Sequence, residues 1–272
     1  MTLNLPCDVG KRFPPGRAPA RDSSPESINI LNMDTEAGSR VQTIDYSCFS
    51  ELAAGLAQLD RPAYAAAGKD SLVPVMGLGL PTATLCIMGR DPGRAEIAAG
   101  APFMGPSGRV LRRMLTAQAT AHLTDDKSAD GEGTGCNRPP ASLFWLNTVP
   151  YKPIANRAWP LAVQRLFQPL IRDIMLMQWH GDRVITLGNQ AFRWFGIGQP
   201  ADERARMDTY WSGDRRYLDP LRVLVANAKR RRWLTLYPLP HPSPANAVWR
   251  ERFPALLQHH LDALTSDQEA RR

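Results

Sequence analysis

The stretch Ala83-Thr84-Leu85-Cys86-Ile87-Met88-Gly89-Arg90-Asp91-Pro92-Gly93 decides the fold. Its first six residues form an apolar run of strand length, and the Gly-Arg-Asp-Pro-Gly that follows is turn chemistry. A strand therefore stops abruptly and leaves a short, rigid, polar loop at its carboxyl end. Working downstream, residues 107–116 (SGRVLRRMLT) read as a helix with a basic face.

The same strand–loop–helix unit recurs. Strands are expected at 142–146 (SLFWL), 183–187 (RVITL) and 232–237 (RWLTLY), and helices at 160–179, 189–195 and 251–264. Pro160 suits the first position of its helix. Strands alternating with helices predict one α/β domain, a central four-stranded parallel sheet flanked by helices. Upstream, CFSELAAGLAQLD from Cys48 has helical spacing, and a Gly/Pro-rich connector at 68–81 leads to the first strand. Residues 1–42 lack any apolar period and read as a disordered leader. The domain is expected to span 43–268, with irregular excursions at 121–140 and 196–228.

Composition narrows the function classes. The 272 residues are 43% hydrophobic, enough for a sizeable core, and carry 33 basic against 26 acidic side chains, a net charge of +7. That balance favours a polyanionic partner. No apolar run reaches the roughly 20 residues of a membrane span, and the N-terminus lacks a secretory h-region. Cys7, Cys48, Cys86 and Cys136 are widely spaced, so neither a disulfide framework nor a four-thiolate metal site is expected. A cytoplasmic, monomeric protein without cofactor or metal is the expectation.

In a parallel sheet, ligands bind beyond the carboxyl ends of the strands. Three polar loops stand there: Gly89-Arg90-Asp91-Pro92-Gly93, Asn147-Thr148-Val149-Pro150 and His241-Pro242-Ser243-Pro244. Asp-Pro-Gly and a strand-closing Asn are ordinary turn formers taken singly. Convergence of all three on one end of one sheet is not what independent turns produce.

The set GRDPG, PFMGPSG (102–108), LNTVPYKP (146–153), LGNQAFRWF (187–195) and LPHPSPANAVW (239–249) resembles the uracil-DNA glycosylase superfamily, in that family's order, over about residues 80–265. PFMGPSG is similar to the thermophile-type branch, whereas the Asp of GRDPG matches the common bacterial and human branch. The resemblance implies a monofunctional DNA glycosylase that hydrolyses the N-glycosidic bond of a flipped-out uracil in base excision repair, acting on single- or double-stranded DNA. Asp91 then activates water or stabilises the electron-poor sugar, and His241 donates to the base O2. Asn147 reads the uracil edge, Phe103 stacks on the base, and Gly93 and the Arg90 backbone complete the base pocket. Gly105, Ser107, Arg109, Ser243, Ala245 and Trp249 are the expected DNA contacts, Arg112 and Arg113 beside them are expected to meet the backbone as well, and 229–232 (KRRR) is either a solvated run or a further phosphate contact.

Two departures from the family pattern bear on substrate. Gly93 stands where the common enzymes carry a Tyr that collides with a thymine methyl, leaving the C5 side open. Ala245 stands where a bulky wedge often fills the vacated stack, so Val248 or Trp249 is the candidate wedge. The cysteine spacing also departs from the thermophile-type branch with its iron–sulfur cluster, and none is expected. The alternatives are a glycosylase for another damaged or modified base and a catalytically weak nucleic-acid-binding member of the superfamily.

Overall fold

A computed structural model describes residues 46–77, 79–121, 143–242 and 247–269. Two short helices, α1 (Ser47–Ala54) and α2 (Arg61–Ala66), precede strand β1 (Leu85–Gly89). Then follow α3 (Arg94–Ala99), α4 (Pro106–Ala121), β2 (Leu143–Asn147), α5 (Leu161–Gln178), β3 (Arg183–Leu187) and α6 (Asn189–Trp194). Helix α7 (Ala201–Ser212), β4 (Leu221–Ala226), β5 (Arg231–Leu239) and α8 (Ala247–Glu269) complete the order.

The sheet runs β2-β1-β3-β5-β4. Its first four strands are parallel, and β4 pairs antiparallel with β5. The fold is thus α/β as expected, but with five strands rather than four. The expected irregular excursion at 196–228 instead holds α7 and the edge strand β4. Strand alternation sorts the core into two layers. Cys86, Met88, Phe144, Leu146 and Val184 pack toward α1, α5 and α6. Leu85, Ile87, Trp145, Ile185 and Leu239 pack toward Leu111 of α4 and Phe253, Leu257 and Leu261 of α8. Strands β1, β2 and β3 are buried along their whole length, which is why they read as mostly apolar runs rather than as alternating ones.

Cysteine usage differs from expectation at one position. Cys48 is disulfide-bonded, whereas Cys86 is a buried free thiol. No helix among the described residues is long and apolar enough to cross a membrane.

Candidate active site

The carboxyl ends of β1, β2, β3 and β5 meet at one edge of the sheet, and the three polar loops leave from there. Gly89 and Asn147 are register partners on the last rung of the β1–β2 pair. A side chain on Gly89 is impossible without displacing its neighbours: a Cβ there would lie 2.5 Å from Asn147 Oδ1 and 2.7 Å from Phe103 Cζ. The absence of a side chain at the end of β1 therefore opens the space that the Asn147 amide and the Phe103 ring share. Asn147 is only 5% exposed, yet its amide has no hydrogen-bond partner among the described residues. The amide tip is not sealed off from solvent, so its donor and acceptor are left open to a ligand.

Phe103 sits at φ 59°, in the left-handed region, where an aromatic residue is strained. Several contacts hold it there. Its ring packs against Trp145 at 4.9 Å between centroids. Its carbonyl accepts from Arg112 Nε at 3.2 Å, and Arg112 Nη2 also donates to the Pro102 carbonyl at 2.8 Å. The guanidinium of Arg112 lies over Trp145. Arg112 is thus a clamp on the Phe103 loop rather than a residue held out toward phosphate. Gly108 admits the Phe103 backbone against the start of α4, since a Cβ there would meet the Phe103 carbonyl oxygen at 1.8 Å.

Asp91 leaves β1 with its side chain 4% exposed. Arg90 Nε donates to Asp91 Oδ1 at 2.5 Å and Nη2 donates to Oδ2 at 3.3 Å and to the Asn156 carbonyl at 3.1 Å. The Asp91 carboxyl is pushed up to about 6; burial is the main cause, Arg90 and Lys152 oppose it, and Glu96 adds to it. The Arg90 carbonyl is fixed by the Thr148 hydroxyl and the Val149 N–H.

Sequence reasoning passed over two further groups. Glu96, on α3, accepts from the Gly93 N–H at 3.0 Å and from the Gly105 N–H at 2.7 Å, so one carboxylate ties the Asp91 loop to the Phe103 loop. Lys152 is buried and salt-bridged to Asp60 at 3.0 Å, and it donates to Asn156 Oδ1 at 2.7 Å. Asn156 and its neighbour Ala155 both have positive φ, so this ammonium pins a strained turn whose carbonyl holds Arg90. The available signal for Glu96 was its place three residues after Gly93, the loop-closing glycine, which is the spacing of a helix cap. A single sequence held no signal for Lys152.

His241 follows β5 through Pro240. Gly188, at the end of β3, has φ +86°, and a Cβ on it would come within 3.2 Å of His241 Cβ. The Gly188 N–H donates to the Leu239 carbonyl at 2.7 Å, which locks the two loops together. His241 presents surface to solvent, but enough protein surrounds the ring to hold its pKa below the ordinary histidine value, with the charge of Arg90 acting the same way. The imidazole is neutral at pH 7 and serves as a hydrogen-bond donor in one tautomer.

The expected DNA contacts fall into three groups. Ser107 donates its hydroxyl to the Pro242 carbonyl at 2.6 Å, joining the Gly105-Pro106-Ser107 turn to the His241 loop. Gly105 is buried, and Arg109 and Arg113 are exposed on the same helix. Ser243 and Ala245 lie outside the described residues. The Trp249 ring packs edge-on against Tyr217 at 4.9 Å, while Val248 is 58% exposed. The basic run at 229–232 stands at the amino end of β5, away from the site by the nine residues of that strand, roughly 30 Å. Neither reading expected for the run describes Arg232, whose guanidinium caps α5 by donating to the Met175, Trp179 and Gly181 carbonyls.

A carboxylate, an unspent buried amide, a strained aromatic ring and a neutral imidazole thus share one sheet edge. A search of curated proteins finds no match. A family model described as the uracil DNA glycosylase superfamily matches residues 76–265, which takes in every group just placed except Asp60. The sheet order, the loops and this match agree, and the chain belongs to the uracil-DNA glycosylase superfamily.

Proposed function

We propose that this protein excises uracil from DNA by hydrolysing its N-glycosidic bond. Family membership supports a DNA glycosylase-type function; the choice of base rests on Asn147. An amide donates to O4 and accepts from N3–H, the pattern of uracil and not of cytosine. An amide left without a protein partner, on an otherwise buried residue at the end of β2, is the observation that carries the reading. Phe103 offers the ring on which the base stacks.

The reaction divides between the two sides of the breaking bond. The C1′–N1 bond breaks and its electron pair leaves with the base. Asp91, as a carboxylate, stabilises the cationic sugar and takes the proton of the water that adds to C1′. His241 donates a hydrogen bond to O2 as negative charge gathers there. The base then takes up a proton from solvent, leaving free uracil and an abasic site. The base must leave the stack first, and Ser107, Arg109 and the His241 loop are the candidates for holding the phosphate backbone as it does.

Gly93 brings no side chain to the C5 side, so C5-substituted uracils belong among the substrates tested. The test is cleavage at abasic sites in single- and double-stranded oligonucleotides carrying uracil, hypoxanthine, xanthine or a thymine mismatch. Excision of uracil ahead of the purines is expected. Preference for a purine would reassign the base, and binding without excision would make the protein a nucleic-acid binder.

A further inference from the structure

Arg90 holds a cation where the reaction above separates charge. Of its five guanidinium N–H groups, Nε and Nη2 are spent on Asp91 and the Asn156 carbonyl. The two on Nη1 have no partner among the described residues, and the side chain is 30% exposed. Its charge also reaches His241. The guanidinium is therefore bonded to the carboxylate assigned to the sugar, and its field acts on the imidazole assigned to the base oxygen. Lys152 is the other cation that acts on Asp91, but its ammonium is already shared among Asp60, Asn156 and the Pro153 carbonyl.

We propose that Arg90 is a further catalytic residue, donating from Nη1 to the O2 of the departing base while Nε and Nη2 stay on Asp91. This rests on the uracil-excision reading. As the C1′–N1 bond breaks, the sugar becomes positive and the base negative. Asp91 and Arg90 form a dipole of the opposite sense, negative toward the sugar and positive toward the base. Being held in place before reaction, that pair stabilises the charge separation without reorganising. No proton leaves the guanidinium, whose acidity is far too low; it supplies charge and two hydrogen-bond donors, alongside the neutral donor His241.

The proposal separates from a phosphate contact or a purely structural pairing by its dependence on the leaving base. 5-Fluorouracil carries negative charge more easily than uracil and needs less help. Arg90→Gln, assayed on one oligonucleotide sequence carrying either base, is expected to lose about 100-fold in kcat on uracil and about 10-fold or less on 5-fluorouracil, with KM little changed. Arg90→Lys restores the cation and should recover part of the uracil rate. Equal losses on both bases, or a loss confined to KM, would overturn the role. Circular dichroism and melting of both variants check that they are folded, and failure of Arg90→Lys to recover any rate while folded counts against it as well. Wild-type protein inert on both bases is a different result: it removes the uracil reading itself, and this role with it.

Discussion

Gly89 and Asn147 face each other on the last rung of β1 and β2, and the glycine leaves the asparagine amide the room it occupies. Gly89→Ala would put a methyl group 2.5 Å from Oδ1 and 2.7 Å from the Phe103 ring. Both are side-chain atoms, so the strand survives and the two groups move. Single-turnover excision should fall about 100-fold or more, the usual result of misplacing a positioning group by an ångström. A near-normal rate would show that the base is not read at this rung.

Asp91→Asn should lose about 10²–10⁴-fold in excision while still binding DNA. The wild-type rate should fall on acidification through about pH 6, where the buried carboxyl protonates. Stability runs the other way. The carboxyl pKa is raised in the folded protein, so folding favours the protonated form, and wild type loses stability as pH rises from about 4 through 6. Asn does not titrate, so the mutant's stability relative to wild type should improve over that range by roughly 1–3 kcal/mol. Melting curves at pH 4 and pH 8 measure the difference. A constant gap between the two proteins would mean that burial does not raise the Asp91 pKa.

Asn147→Asp replaces a donor with an acceptor at the pairing edge. The carboxylate suits the amino group of cytosine and repels O4 of uracil. Uracil excision should drop and a small cytosine activity appear, shifting the ratio at least several-fold, since a reversed buried hydrogen bond is worth about 1–3 kcal/mol. Matched oligonucleotides with one uracil or one cytosine measure the ratio. If it stays constant in the folded variant, Asn147 does not select the base.

Glu96→Ala frees the Gly93 and Gly105 N–H groups from their shared acceptor. Both the Asp91 loop and the Phe103 loop loosen, so excision should fall about tenfold. Glu96→Gln keeps one acceptor oxygen and should lose less. Loss of a nearby negative charge also lowers the Asp91 pKa, so the acid limb of the rate profile should move to lower pH in both variants. A purely structural role would leave that limb in place. Gly93→Tyr is a poor test of pocket width by comparison, because even its Cβ would sit 2.8 Å from Glu96 Oε2.

Much of the fold was legible because β1, β2 and β3 are buried on both faces and are mostly apolar. Strand β4 was not: it alternates buried and exposed residues on a sheet edge, within a segment dominated by charge. Helix α7 was hidden for a related reason, since only Met207 along it is buried. At the site, Asp91, Asn147 and His241 announced themselves by standing at strand ends. Arg112 and Ser107 suggest phosphate by type alone, and a single sequence does not show that Arg112 also donates to the Phe103 carbonyl and Ser107 to the Pro242 carbonyl. Lys152 acts through Asp60, far away in sequence, which no local pattern reveals, and of the two bonds to Glu96 only the one from Gly93 follows helix-cap spacing.

The Lys152–Asp60 pair also says where the working unit starts. The family match begins at residue 76, but the ammonium that pins the turn behind Arg90 finds its counter-ion on the segment before it. That segment is fastened from both sides: the Asp60 N–H donates to the Lys152 carbonyl, and the Lys152 N–H donates to the Tyr64 hydroxyl. A protein trimmed to the family boundaries would strand a positive charge in the interior, and removing one partner of such a pair costs about 3–5 kcal/mol. Helix α2 with its capping Asp60 is therefore part of what must be expressed, transplanted or compared whenever this domain is handled as a module.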